Sequence, residues 1–181
     1  MLTALQTRKL TRAFHLFDLD QNGIMDRQDC ELVIRATTQA MGHAPGSPEY
    51  TAYHNEYMAG WDTIVALGDS DGDQKLTATE FCTAYGKLME QPAQFDAVVL
   101  GFVKTAITLW DSNQDGKVSE TEYKNYLTTV HVTAAEAADA FHRLDLDRDG
   151  YLTSEELFQN LKEYYFTDDP NAPGNWFFGP F

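Results

Sequence analysis

The 181-residue chain is short of positive charge: 13 Lys and Arg stand against 28 Asp and Glu, a formal net charge of −15. That balance excludes the basic surface a nucleic-acid partner needs and disfavours anionic membranes. Cysteine is scarce too. Cys30 and Cys82 cannot form a disulfide framework and read as reduced, partly buried small residues. No uninterrupted apolar run approaches the roughly 18 residues of a membrane-spanning helix, so no span is expected. The first residues show no signal-like apolar segment before a small-residue cleavage site, so no secretory leader is expected there. MLTALQTRKLTRAFHLF spaces Leu10, Phe14 and Phe17 on one helical face and runs straight into an acidic loop, which favours a helix over a transit peptide. Catalytic motifs are absent as well. There is no nucleophile elbow, no phosphate-cradling glycine loop and no His-Glu metalloprotease motif, and the five His have no zinc spacing. The chain does not read as an enzyme.

What is present is a core-forming composition, 43% hydrophobic and 13% aromatic, together with acids gathered into clusters. Four twelve-residue windows, DLDQNGIMDRQD (18–29), DSDGDQKLTATE (69–80), DSNQDGKVSETE (111–122) and DLDRDGYLTSEE (145–156), hold 17 of the 28 acids. They carry only four bases, so nearly all the net charge lies inside them. A solvated surface has no reason to concentrate charge in this way, whereas a set of cation sites does.

The spacing inside the windows points to calcium. Oxygen donors at positions 1, 3, 5, 7, 9 and 12, with Gly at 6, wrap one such ion. The third window supplies Asp111, Asn113, Asp115, the carbonyl of Lys117, Ser119 and Glu122. The fourth supplies Asp145, Asp147, Asp149, the carbonyl of Tyr151, Thr153 and Glu156. The first offers Asp18, Asp20, Asn22, the carbonyl of Ile24, Asp26 and Asp29. The second offers Asp69, Asp71, Asp73, the carbonyl of Lys75, Thr77 and Glu80. Two windows depart from the pattern. Gln74 replaces the position-6 glycine, and a left-handed non-glycine residue costs about 1–2 kcal/mol, so an affinity about tenfold weaker is expected there. Asp29, one methylene shorter than Glu, is expected to reach an ion with one oxygen, which favours magnesium.

The flanks are helical. Val98, Val99, Phe102, Val103, Ala106, Ile107 and Trp110 recur with helical period ahead of window three. Ala137, Ala138, Phe141 and Leu144 do so ahead of window four, and Leu157, Phe158, Leu161 and Tyr165 after it. Thr77–Glu80, Ser119–Glu122 and Thr153–Glu156 read as capping boxes that start each exiting helix. Apolar residues at position 8 (Met25, Leu76, Val118 and Leu152) suit a short strand pairing window one with two and three with four. An all-α fold is therefore expected, an array of four helix–loop–helix units in two pairs with short β pairing between loops. The pairs would span 1–90 and 91–166, and an aromatic tail, 167–181, would pack on the body.

Four such units resemble the EF-hand proteins. The loop starts are 51, 42 and 34 residues apart, and the long first interval with its turn-rich MGHAPGSPEY (41–50) resembles the sarcoplasmic calcium-binding protein and calerythrin family. The ending DDPNAPGNWFFGPF (168–181) resembles calerythrin-type tails. The resemblance implies a calcium-binding protein, and three or four ions are expected, with magnesium an alternative at the first site through its Asp29. By the same resemblance the first site, with its Asp29, is filled, while the second hand is often inactive in relatives.

Three roles stay open at this stage. A cytoplasmic, monomeric calcium buffer or carrier is favoured, because only Met41, Met58 and Met89 lie outside the first residue and first loop, and a sensor groove is usually Met-rich. The tail aromatics Trp176, Phe177, Phe178 and Phe181 are expected to fold back and plug a cleft between the halves. A sensor acting on an unknown target protein is the alternative. A luciferin-binding role, drawing on Trp61, Trp110, Trp176, His15 and His142, is the remote one. Sites three and four are expected to fill first.

Overall fold

A computed structural model describes all residues, Met1–Phe181. Eight helices follow in order: α1 (Ala4–Phe17), α2 (Arg27–Ala40), α3 (Pro48–Gly68), α4 (Ala78–Met89), α5 (Pro92–Trp110), α6 (Glu120–Thr129), α7 (Ala134–Leu144) and α8 (Ser154–Phe166). The pairs α1 and α2, α3 and α4, α5 and α6, and α7 and α8 each enclose one acidic window, so four helix–loop–helix units form as the spacing predicts. The long first interval is taken up by a turn at 41–47 and by the 21-residue α3, which starts on Pro48 with Ser47 as its cap.

Local chemistry fixes the helix starts. Thr77, Ser119 and Thr153 cap α4, α6 and α8 reciprocally with Glu80, Glu122 and Glu156. Asp26 and Asp29 form a fourth box at the start of α2. In that box the short carboxylate plays the part of the usual Glu, which the sequence reading missed.

The loops meet in pairs. Met25 and Leu76 exchange backbone hydrogen bonds of 2.9 and 2.8 Å. In the second pair β1 (Val118–Ser119) runs antiparallel to β2 (Tyr151–Leu152), with Val118 opposite Leu152. All four position-8 side chains are buried, so one contact aligns two loops and closes the core beneath them.

That core is continuous. A single cluster of 39 buried residues draws on all eight helices, from Leu10, Val33 and Trp61 to Phe141 and Leu161. α1 is part of it through Leu10, Ala13, Phe14 and Leu16, which accords with a structural helix at the N-terminus. α5 is long and apolar enough by length and composition to cross a membrane, although Asp96 and Lys104 break it into shorter apolar runs. Core helices pass the same test, and α5 buries Phe95, Val99, Val103, Ala106, Leu109 and Trp110 against its neighbours.

The tail is folded. A 3-10 turn, Pro173–Trp176, lies on α8 and α7, and Gly174 comes so close to α8 that an added Cβ would lie 2.5 Å from the Asn160 carbonyl. Phe177 and Phe178 are buried. Tyr123 donates its hydroxyl to the Phe177 carbonyl at 2.5 Å, and Phe178 packs edge-on against both Phe17 of α1 and Tyr164 of α8.

Candidate metal centres in four loops

Each loop is held by the same internal frame. The position-1 aspartate accepts the amide of position 6: Gly23 to Asp18 at 2.9 Å, Gln74 to Asp69 at 2.9 Å, Gly116 to Asp111 at 2.7 Å and Gly150 to Asp145 at 3.0 Å. Position 3 accepts the amide of position 5 in all four, at 3.0 Å for Asp20, 3.3 Å for Asp71, 2.9 Å for Asn113 and 3.1 Å for Asp147. Position 5 accepts the amide of position 7, from Ile24, Lys75, Lys117 and Tyr151. The chain thus turns its carboxylates inward on one side while the amides lock each from behind.

Position 12 closes the ring. Glu80 accepts from the amide and hydroxyl of Thr77 with one oxygen and from those of Ser70 with the other. Glu122 does the same with Ser119 and Ser112. Asp29 reaches equivalent groups despite its length, taking the amides of Leu19 and Asp26 at 3.1 and 3.0 Å. Glu156 differs, because position 2 of its loop is Leu146 and supplies no hydroxyl. Its Oε2 accepts from Thr153, while its Oε1 is buried with no partner. An orphaned carboxylate oxygen beside Asp145 and Asp147 is what a hard divalent cation would satisfy.

Carboxylate oxygens converge within 4.8 Å in three loops: Asp18, Asp20 and Asp29; Asp69, Asp71 and Asp73; Asp145, Asp147 and Glu156. The third loop holds a looser set. Asn113 stands at position 3 and binds Asp115 at 2.9 Å, and both Glu122 oxygens are engaged by serines. Clustered anions, a locked frame and a bare oxygen together fit a calcium ion.

The comparisons with known proteins agree. The family model described as EF hand matches residues 137–161, the fourth loop with parts of α7 and α8. Calerythrin from Saccharopolyspora erythraea is 28% identical over 92% of this chain and 95% of its own length. The sarcoplasmic calcium-binding protein alpha chain of Penaeus vannamei is 27% identical, over 92% and 90%. The solved structure of a Streptomyces coelicolor calcium-binding protein superposes with a TM-score of 0.77 at 28% identity, covering 97% of this chain and 99% of that one. The chain is an EF-hand protein resembling calerythrin and the sarcoplasmic calcium-binding proteins.

The second EF hand needs one correction. Gln74 does sit in the left-handed region, at φ 62°. The other hands carry the same burden two residues earlier, with Gln21 at 58°, Gln114 at 60° and Arg148 at 61°, all at position 4. In the second hand position 4 is Gly72, at φ 80°. Every hand therefore has one glycine and one strained side chain, in swapped order, and the expected tenfold handicap of hand two relative to the others loses its basis. The signal was present in the sequence as the glycine two residues before Gln74.

The electrostatics also differ between hands. The amide of Thr77 and the hydroxyl of Ser70, with two further hydrogen bonds, hold Glu80 well below the usual carboxylate range, at about 2. Burial pushes Glu122 up, but four hydrogen bonds from Ser119 and Ser112 outweigh it and leave the group lowered. For Asp29 burial wins over its amide bonds and the carboxyl is raised. Ser70 and Ser112, at position 2, were not among the sequence-derived site residues; a serine there in two of the four loops was the available signal.

Under the hands, between α3, α4, α5 and α8, lies a cavity of about 290 Å³. Its lining is mostly apolar and includes Tyr57, Trp61, Phe81 and Phe102. Phe178 forms part of its wall, so the tail caps one side of the cleft and does not fill it. Trp110, Trp176, His15 and His142 do not line it, and both of those histidines are exposed.

Proposed function

We propose that this protein binds calcium in all four hands and serves as a cytoplasmic, monomeric buffer or carrier. The observation that carries this reading is the common frame: in every loop the amides of positions 5, 6 and 7 back the carboxyl or amide oxygens of positions 3, 1 and 5. The chain's own groups do the rest. In each loop the position-7 carbonyl, the position-9 side chain and the position-12 carboxylate complete an oxygen set. Calcium supplies the positive charge that such a set lacks, and four ions would bring the formal charge from −15 to −7.

Several features support a buffer. Both hand pairs share one core, and the C-terminal aromatics are already packed. Two unpaired cysteines, Cys30 buried and Cys82 half-buried, suit a reducing compartment. Catalysis forms no part of the reading, since the loop carboxylates are committed as ligands. Hands three and four are placed first in affinity, and magnesium is proposed to compete at hand one through its shorter Asp29.

Isothermal titration with calcium, repeated in magnesium, tests this. Uptake of four ions is expected, with the step of hand one, which follows those of hands three and four, reduced by magnesium. No uptake at millimolar calcium would overturn the reading.

A sensor is the second reading, and two observations favour it. The cavity of about 290 Å³ has a mostly apolar lining of the kind that takes up a partner's apolar side chains. The Streptomyces coelicolor neighbour is described in terms of calcium-mediated regulation. Calcium-dependent binding of a hydrophobic dye would favour the sensor, and unchanged dye fluorescence the buffer. A luciferin-like role has less support, because no histidine lines the cavity.

A further inference from the structure

Lys117 stands at position 7 of hand three, where the motif uses only its carbonyl. Its side chain leaves that loop. The pairing of Val118 with Leu152 and Ser119 with Tyr151 lays loops three and four side by side. Lys117 Nζ crosses to Asp149 Oδ2 at 2.8 Å and lies 5.0 Å from the centre of the Tyr151 ring. Asp149 is the position-5 donor of hand four. It is also the one carboxylate donor of that hand missing from the converged group of Asp145, Asp147 and Glu156.

The other pair repeats the arrangement in mirror order. Lys75, position 7 of hand two, places Nζ 3.3 Å from Oδ2 of Asp26, position 9 of hand one. Asp26 is likewise the one carboxylate donor missing from the group of Asp18, Asp20 and Asp29. The outer hands send nothing back, since their own position-7 residues are Ile24 and Tyr151.

We propose that Lys117 and Lys75 are built-in competing cations, each belonging to an inner hand and lowering the calcium affinity of the outer hand beside it. The inference rests on the reading that the loops bind calcium. Two effects act in the same direction. The ammonium stabilises the ion-free loop by neutralising one donor carboxylate, and it repels a dication that shares that carboxylate. One residue thus serves two sites, with its carbonyl in its own hand and its charge in the neighbour. A unit charge sharing a carboxylate with a dication changes binding by about tenfold even at the dielectric constant of water.

The test is calcium titration of Lys117→Met and Lys117→Arg. The methionine keeps the carbonyl and the length of the chain but removes the charge; the arginine keeps the charge. Tighter binding at hand four, by about five- to tenfold, is expected for Lys117→Met. The gain should shrink at high salt, and Lys117→Arg should stay near the parent. Assignment to hand four comes from adding Glu122→Gln, which must leave the gain intact, or Glu156→Gln, which must abolish it. Lys75→Met repeats the test independently at hand one. The proposal is overturned if both methionine variants bind as the parent does, or more weakly. Absence of calcium binding by the parent itself would instead remove the underlying reading.

Discussion

At the scale of single residues, the loops balance backbone strain in the same way. A Cβ added at Gly72 would meet no atom within 4 Å, so the cost of adding one comes from its φ of 80° alone. Gly72→Ala would leave hand two with two left-handed side chains, and a loss of affinity of about tenfold is expected at that hand in calorimetry. Gln74→Gly should change affinity by a similar factor in the opposite direction. Protons sort the hands as well. A proton and a calcium ion compete for the same oxygens, so the carboxyl that holds its proton to higher pH loses the metal first on acidification. Asp29 is raised above its ordinary value while Glu80 is lowered to about 2. Hand one should therefore release its ion at a higher pH than hand two, which titration of the separated signals by NMR would read directly. The reverse order would contradict the assigned environments.

Among the elements, what could be read in advance divides by distance along the chain. The capping boxes at Thr77, Ser119 and Thr153 were legible because donor and acceptor lie three residues apart and share one helix turn. The loop donors and the pairing through Met25, Leu76, Val118 and Leu152 were legible for the same reason, as fixed offsets inside a twelve-residue unit. Contacts that depend on how two elements come to lie together were not. Nothing local tells that the Lys117 ammonium reaches Asp149, or that the tail lands on α1. In that landing Lys9 of α1 is buried and donates to Asn175 Oδ1 at 2.8 Å; Tyr164 of α8 donates to the Lys9 carbonyl beside it at 2.6 Å, and Tyr123 of α6 holds the tail from its other side by donating to the Phe177 carbonyl. Tyr123→Phe removes one buried donor and strands the carbonyl, a cost of about 1–3 kcal/mol seen as a lower midpoint in thermal unfolding. Removing residues 170–181 should lower the midpoint further, because Phe177 and Phe178 leave the core with it. An unchanged midpoint would mean that the tail contributes no stability.

For the whole molecule, the shared core implies shared unfolding. Helices from both pairs join one buried cluster, so the halves should melt together. A single calorimetric transition is expected in calcium, moving to markedly lower temperature in chelator, since the ion binds the folded form. Two resolved transitions would show that the pairs are energetically independent. The seat of the tail also bears on how the chain is made. Lys9 is synthesised 166 positions before its partner Asn175. Until residues 175–178 have emerged from the ribosome, Phe17 lacks the ring and Tyr123 the carbonyl that cover them. The body therefore assembles ahead of its own latch, which closes only when Phe177 and Phe178 reach it.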